Sequence, residues 1–138
     1  MFDQLKKHHL GFVIPCEQKE ILEQELGKKF LFDPMQETHV LFVFNDWLDL
    51  YLEFICQEGR VKHHKPGYAH TCYSVQDESE LEKVQQFINQ NRFGFPLTRL
   101  EKSGSKECGQ VMFYYLRHLG VIELNVTEEV SHSRADKR

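Results

Sequence analysis

The feature that most constrains the fold is a repeat in the order of predicted secondary structure. Each half of the sequence predicts a strand, a helix and three further strands, although residue identity between the halves is low. In a chain of 138 residues this order indicates one domain built from two similar modules. We expect module one at about 7–56 and module two at about 67–126, which makes 1–126 a single domain. Element order by itself also leaves other α+β arrangements open.

Alternation of apolar residues defines most of module one. His9–Ile14 alternates with period two, which predicts a strand, and Pro15 ends it. Cys16–Leu26 carries an apolar stripe among Glu and Gln residues, and Gly27 follows as a helix-terminating residue would. The remaining predicted strands of this module are Phe30–Phe32, His39–Phe44 and Trp47–Ile55.

Module two begins with a predicted strand at Tyr68–Val75. Asp77 and Glu80 have the spacing of a capping box and predict the start of a helix. Later strands are predicted at Phe95–Leu100, Gln110–Leu116 and Val121–Val126, with a loop over Glu101–Cys108. The polar tail 127–138 is expected to be disordered.

Composition excludes several classes of protein. Hydrophobic residues form 41% of the chain, which is enough for a folded core, and no apolar run is long enough to span a bilayer. The net charge of −4 comes without a basic stripe, so no nucleic-acid partner is expected. The first ten residues lack the apolar stretch of a signal peptide, and the four cysteines show no CxxC spacing. We therefore expect a cytoplasmic protein with reduced thiols and no membrane association. No Gly-rich turn leads from a strand into a helix, so no nucleotide cofactor is predicted.

Four residues on corresponding strands form the candidate site. His9 lies on the first strand of module one and Glu53 on its last. His70 and Glu123 occupy the same places in module two. Each lies opposite the more apolar row of its strand, so helices covering the apolar face would leave all four on the other face.

This donor set favours a divalent metal ion. Two buried carboxylates at one place repel each other, and a cation removes that cost while also using neutral imidazoles. Two nitrogen and two oxygen ligands suit zinc, nickel, cobalt, manganese or iron(II) better than a metal that seeks thiolates.

At this level the sequence resembles a known family, the vicinal oxygen chelate (glyoxalase/bleomycin resistance/dioxygenase) superfamily, and most of all its methylmalonyl-CoA epimerase and lactoylglutathione lyase branch. The likeness runs from about His8 to Val126. It rests on the segments HHLGFVI, DPMQETHVLFVF, LYLEFI, YAHTCYSV and GVIELNV. It implies an α+β, glyoxalase-like fold in which two βαβββ modules form a curved mixed eight-strand sheet around a metal cleft. It also implies a homodimer.

The resemblance further implies metal ligands at His9, Glu53, His70 and Glu123. The implied activity is that of a metal-dependent isomerase, epimerase or lyase. Such an enzyme chelates a carbonyl substrate and moves a proton through an enolate-like intermediate. Glu123 is the best candidate for the catalytic base and Glu53 the second. The expected substrate is a small molecule such as an acyl-CoA or a hemithioacetal.

The chain also departs from the epimerase pattern, in which a separate glutamate on the third strand acts as a base. Here Val40 stands at that position, and Glu37 is out of register with it. Three further residues are candidates for the cleft or for substrate contacts: Gln36 in the DP-x-Q turn, and the loop residues His63 and His64.

Two other functions remain open at this stage. An extradiol-type dioxygenase would use iron(II), two histidines and one carboxylate, so a fourth ligand at Glu53 argues against it. A non-catalytic drug-binding or metabolite-binding resistance protein on the same fold would typically lack the metal residues. Since one scaffold hosts many activities, the fold alone does not choose among these functions.

Overall fold

The computed structural model describes residues 2–104 and 107–127 of the chain. It divides into two compact units. The N-terminal unit is His9–Ala69, and the C-terminal unit is Met1–His8 together with His70–Arg138. Both boundaries fall within strands, and each of these strands is described with the unit that contains most of its residues. The described residues contain nine strands and two α-helices.

The N-terminal unit contains a βαβββ module. Its strands and helix are β1 (Lys6–Ile14), α1 (Lys19–Leu26), β2 (Leu31–Asp33), β3 (Thr38–Asn45) and β4 (Leu50–Cys56). The strand order is β2-β3-β4-β1, in which β1 runs parallel to β4 and the other pairs are antiparallel. The predicted helix is confirmed except in its first three residues, which form a 3-10 turn over Cys16–Gln18. Gln18 N donates to Pro15 O there, and this i→i+3 bond tightens the backbone. Gly27 adopts a left-handed conformation and ends α1 as predicted.

The turn between β3 and β4 corrects one predicted strand. Trp47–Asp49 was expected to begin the strand that ends at Ile55, but these residues form the turn itself. Asn45 Oδ1 accepts a hydrogen bond from Leu48 N at 3.0 Å, and Asp49 has a φ of 55°. This local chemistry bends the chain even though the apolar alternation continues through it. Trp47 is 96% exposed as a result.

The C-terminal unit repeats the module with one additional short strand. Its elements are β5 (Gly67–Val75), α2 (Glu78–Gln90), β6 (Gly94–Pro96), β7 (Glu101–Lys102), β8 (Gln110–Leu116) and β9 (Gly120–Val126). The strand order is β5-β9-β8-β6, with β7 also paired to β8. The prediction of a loop over Glu101–Cys108 is therefore wrong at Glu101 and Lys102, which form β7.

β6 is shorter than the predicted strand Phe95–Leu100. Leu97 N and Thr98 N both donate to Phe113 O, and Thr98 Oγ1 accepts from Phe113 N at 3.0 Å. The Thr98 hydroxyl thus takes the place of a backbone acceptor, and the ladder stops.

In each unit one helix covers one face of the strands. Leu22 of α1 packs on a core made of Ile14, Phe30, Leu41 and Cys56. Leu81, Val84 and Ile88 of α2 pack on the larger core of the C-terminal unit. This core also contains Tyr73, Val75, Met112, Tyr114, Leu116, Ile122, Leu124 and Val126. Because side chains alternate along a strand, every second residue points to the opposite face of the sheet, which the helix does not cover.

The predicted start of the helix in module two is confirmed. Asp77 caps α2, because its side chain accepts a hydrogen bond from Glu80 N at 2.8 Å.

The predicted α+β fold with two βαβββ modules is confirmed, with nine strands in the described residues where eight were expected. Beyond Thr127, the predicted disordered tail lies outside the described residues. In the part of the chain that is described, no helix has the length and apolar character needed to cross a membrane.

Candidate functional site

The N-terminal unit brings His9 and Glu53 together on the face opposite α1. β1 and β4 pair in a register that sets Gly11 against Glu53, so His9 lies one pleat away on the same face. His9 Nε2 is 3.3 Å from Glu53 Oε1. The two residues are only 0% and 2% exposed. A buried carboxylate beside a buried imidazole is costly to desolvate unless a charge or a hydrogen bond compensates it.

The C-terminal unit repeats this arrangement with His70 and Glu123. β5 and β9 pair in a register that sets Cys72 against Glu123, two residues after His70. His70 Nε2 is 3.1 Å from Glu123 Oε1, and both residues are buried. The histidine, the glutamate and the register between them are therefore equivalent in the two units.

A phenylalanine completes each pair, and sequence reasoning missed both of these residues. Phe42 lies opposite Glu53 in the β3–β4 ladder, and its ring meets the His9 ring edge-on at 5.1 Å. Phe113 lies opposite Glu123 in the β8–β9 ladder, with its ring 5.6 Å from that of His70. Such contacts restrict the orientation of an imidazole ring. Each phenylalanine is the cross-strand partner of a candidate glutamate. A prediction of strand pairing could therefore have found both residues.

Gln36 contacts the candidate site directly. Its Nε2 donates to Glu53 Oε2 at 3.1 Å and to Asp33 Oδ2 at 2.9 Å. Asp33 is buried and was not singled out from the sequence, although it begins the same turn. Met35 N donates to the other Asp33 oxygen, Oδ1, at 3.0 Å. The DP-x-Q turn thus connects the end of β2 to the glutamate on β4.

The donor set fits a divalent metal ion. In each unit the candidate ligands are one imidazole nitrogen and one carboxylate oxygen, and all four residues are of the types that could hold an ion. Because all four residues are buried, bulk water does not solvate the two carboxylates. Nitrogen and oxygen ligands of this kind suit zinc, nickel, cobalt, manganese or iron(II).

The other sequence candidates lie elsewhere. His63 and His64 are exposed in the loop before β5, and His64 Nδ1 is 2.6 Å from the main-chain oxygen of Lys65. Glu37 is exposed in the turn after β2, with Arg60 Nε at 3.7 Å from its carboxylate. Val40 is buried and pairs with Ile55, so its strand position carries an apolar side chain on the face of Glu53.

A second polar cluster in the N-terminal unit was not predicted. His39 Nδ1 lies 2.6 Å from Glu58 Oε2, which also accepts hydrogen bonds from Thr38 Oγ1 and His39 N at 3.1 Å each. The hydrogen bond with His39 is the largest influence on Glu58 and lowers the pKa of this carboxyl group. On the neighbouring strand, burial raises the pKa of the Cys56 thiol to about 12.

Comparisons with known proteins identify the fold. No protein-family model matches the chain, and no curated protein sequence matches it. Among solved structures it resembles the hypothetical protein BH1468 from Bacillus halodurans C-125, with a TM-score of 0.66 and 18% identity over 91% of this chain and 96% of that one. It also resembles the methylmalonyl-CoA epimerase of Mycobacterium tuberculosis, with a TM-score of 0.61 and 13% identity over 87% and 86% of the two chains. The chain has the vicinal oxygen chelate fold.

A third structure places a different enzyme on the vicinal oxygen chelate fold. The 2,3-dioxygenase LapB from Pseudomonas sp. KL28 matches with a TM-score of 0.58 and 16% identity, over 93% of this chain and 44% of that one. An epimerase and a dioxygenase are therefore both structural neighbours. The fold therefore does not determine the function, which depends on the side chains of the site.

Proposed function

We propose that the protein is a metal-dependent isomerase, epimerase or lyase that moves a proton next to a substrate carbonyl. The proposed ligands are His9 and Glu53 from the N-terminal unit and His70 and Glu123 from the C-terminal unit. The supporting observation is that each unit holds a buried histidine and a buried glutamate in the same strand register. Two such pairs supply the four ligands that one divalent ion would take.

Each residue has a distinct proposed role. A bound divalent ion would act as a Lewis acid on neighbouring substrate oxygens and lower the cost of removing the adjacent proton. His9 and His70 would hold the ion, and in each unit Nε2 is the ring nitrogen that faces the glutamate. Glu123 acts as the base that removes the proton and returns it. Glu53 is the second candidate for that role, and its hydrogen bond from Gln36 favours a fixed ligand over a mobile base.

The proposed substrate class is a small carbonyl compound such as an acyl-CoA thioester or a hemithioacetal. The methylmalonyl-CoA epimerase among the structural neighbours acts on an acyl-CoA, as its name states. By the family resemblance, Val40 stands where the epimerases carry an additional glutamate base, which favours a reaction that uses one base over a two-base racemisation.

Metal analysis tests the site. The purified protein should bind about one divalent ion per chain when it is dialysed against zinc, nickel, cobalt or manganese, or against iron(II) without oxygen. At a free metal concentration of 100 times Kd, the ion should raise the unfolding free energy by about 2.7 kcal/mol. His9→Ala and His70→Ala should each abolish this gain, while the exposed control His63→Ala should keep it. Failure to bind any of these metals would overturn the proposal.

Proton exchange tests the reaction. The metal-loaded protein should exchange solvent deuterium into the carbon next to the carbonyl of methylmalonyl-CoA or of the hemithioacetal of glutathione and methylglyoxal. Nuclear magnetic resonance or mass spectrometry measures this exchange, with metal-free protein as the blank. If the protein binds metal but exchanges deuterium into neither substrate, the proposed metal site would be retained and the proposed reaction would be rejected.

An extradiol-type dioxygenase is the second candidate, because a 2,3-dioxygenase is among the structural neighbours. Such an enzyme would consume oxygen with iron(II) and a catechol, and that activity would replace the proposed reaction. A non-catalytic resistance protein would bind a drug or metabolite in the absence of metal. The second buried carboxylate, Glu53, argues against both alternatives.

We also propose that the protein works in the cytoplasm as a homodimer. Cys16, Cys56, Cys72 and Cys108, all within the described residues, form no disulfide bond, which favours a reducing compartment. The dimer follows from the resemblance to the superfamily. Analytical ultracentrifugation at micromolar concentration should give twice the 16.4 kDa chain mass, and a monomer at every concentration would remove this part of the proposal.

A further inference from the structure

Gln36 joins two buried carboxylates in the N-terminal unit. Asp33 is 4% exposed and Glu53 is 2% exposed. Gln36 Nε2 lies 2.9 Å from an oxygen of Asp33 and 3.1 Å from an oxygen of Glu53. An amide nitrogen has two hydrogens, so one Gln36 side chain can serve both acceptors. The opposite amide orientation would set a carbonyl oxygen against two carboxylates, and this repulsion fixes the orientation.

The turn that carries Gln36 is itself locked in place. Asp33 Oδ1 accepts from Met35 N, and Arg60 N donates to Gln36 O at 3.1 Å. Gly59 has a φ of 56°, and a Cβ at that position would lie 1.8 Å from Glu37 O. The loop after β4 can therefore approach the turn this closely only because residue 59 is glycine.

The two oxygens of Glu53 consequently face different groups. Oε2 accepts the hydrogen bond from Gln36, and Oε1 lies 3.3 Å from His9 Nε2. A carboxylate held through one oxygen presents the other in a fixed direction. Partners behind a metal ligand orient it and tune its affinity in this way.

We propose that Asp33 and Gln36 form a brace, meaning a pair of side chains that fixes the orientation of Glu53 so that its Oε1 would be available to a bound metal. Gln36 is a positioning residue in this scheme, because it acts through Glu53. The inference rests on the proposed function, since it assigns the brace to the same metal site. Glu53 would then be a positioned ligand, and proton transfer would be left to Glu123.

The test replaces Gln36 with methionine, which keeps the length of the side chain and removes the amide. Metal affinity is measured by competition with a chromophoric chelator, using cobalt(II) and zinc. Gln36→Met should weaken affinity by about 10- to 100-fold. The control Gln57→Met removes an amide that donates to the His64 main-chain oxygen, and it should leave the affinity unchanged.

A double-mutant cycle separates positioning from a general loss of stability. If Gln36 acts through Glu53, Gln36→Met should have no further effect on affinity in a Glu53→Ala background. An equal effect in both backgrounds would overturn the brace. A loss of affinity in Glu53→Ala alone, with Gln36→Met unchanged, would overturn the brace and leave the metal site standing. Unchanged affinity in Glu53→Ala would instead remove Glu53 from the proposed ligand set.

Discussion

The two units present their histidine and glutamate in the same register, but they hold the surrounding strands by different means. In the N-terminal unit, the residues next to this pair are apolar, with Val13 paired to Ile55. In the C-terminal unit, the equivalent pair is Ser74 and Asn125, and the Ser74 hydroxyl donates to Asn125 Oδ1 at 2.7 Å. Asn125 Nδ2 donates in turn to Cys108 O at 2.8 Å. Asn125 therefore ties the segment before β8 to the centre of this unit.

The two units share the arrangement of their histidine and glutamate but differ in the polar contacts around it. The histidine, the glutamate and the phenylalanine opposite the glutamate occur in both units. Among the polar contacts, the Gln36 amide donates to Glu53 in one unit, and the Asn125 amide donates to Cys108 O in the other.

The largest expected effect distinguishes the two glutamates. Glu123→Gln should lower turnover by about 1000-fold, because removal of a general base costs two to four orders of magnitude. Glu53→Gln should weaken metal affinity yet keep most of the turnover at saturating metal. Steady-state kinetics at several metal concentrations measures both effects, with the exposed Glu82→Gln as the control. Equal losses of turnover in both variants would make the two units catalytically equivalent and break the proposed division of roles.

The second effect concerns the buried amide of the C-terminal unit. Asn125→Leu should reduce the unfolding free energy by about 3 kcal/mol, because it removes the hydrogen bonds that Asn125 makes with the part-buried Ser74 hydroxyl and the buried Cys108 carbonyl. Urea denaturation measures the change. Asn89→Leu on the exposed side of α2 provides the matched control. A loss below about 1 kcal/mol would show that this network adds little and that the two units are held alike.

The third effect should be equal in the two units. Phe42→Leu and Phe113→Leu should each lower the unfolding free energy by about 1 kcal/mol, through loss of the edge-on contact with a histidine ring. The exposed Phe95→Leu should have little effect in the same urea experiment. If only one of the two substitutions lowered the unfolding free energy, the two phenylalanine positions would not be equivalent.

The smallest effect is a pH-dependent one in the N-terminal unit. Glu58→Gln should cost about 1 kcal/mol of stability at pH 7, because the carboxylate is partly exposed and its hydrogen bonds are screened. The pKa of Glu58 is lowered in the folded protein from its usual 4.5, so the stabilisation is complete above pH 4.5 and is lost as the pH falls through the lowered pKa. The stability curves of wild type and variant should therefore converge in acid, with Glu25→Gln as the control. A constant difference down to low pH would contradict this assignment.

Much of the fold could be predicted because alternation and capping are local signals. The strand His9–Ile14 and the capping residue Asp77 are both confirmed. The turn at Trp47 could not be predicted from alternation, because its apolar pattern matches a strand while the Asn45 side chain bends the backbone. The early end of β6 depends on Thr98, whose hydroxyl interrupts a ladder that only the partner strand defines.

The candidate site was predicted unevenly for a similar reason. Corresponding places in a repeat are visible along the sequence, so His9 and His70 could be matched with Glu53 and Glu123. The brace and the phenylalanines depend on which strands become neighbours and on their register. The His39–Glu58 contact joins β3 to a loop 19 residues further on, a pairing that no local pattern contains.

The amino-acid sequence alone was enough to predict the α+β class, the repeated order of elements and the matched histidine and glutamate positions. These properties follow from side-chain periodicity, which each segment carries alone. The tertiary structure decided the strand register that sets His9 Nε2 within 3.3 Å of Glu53, and His70 Nε2 within 3.1 Å of Glu123. It also decided that the Gln36 amide lies between two buried carboxylates. The physical reason is that burial and hydrogen-bond geometry arise only when residues distant in the sequence pack against each other.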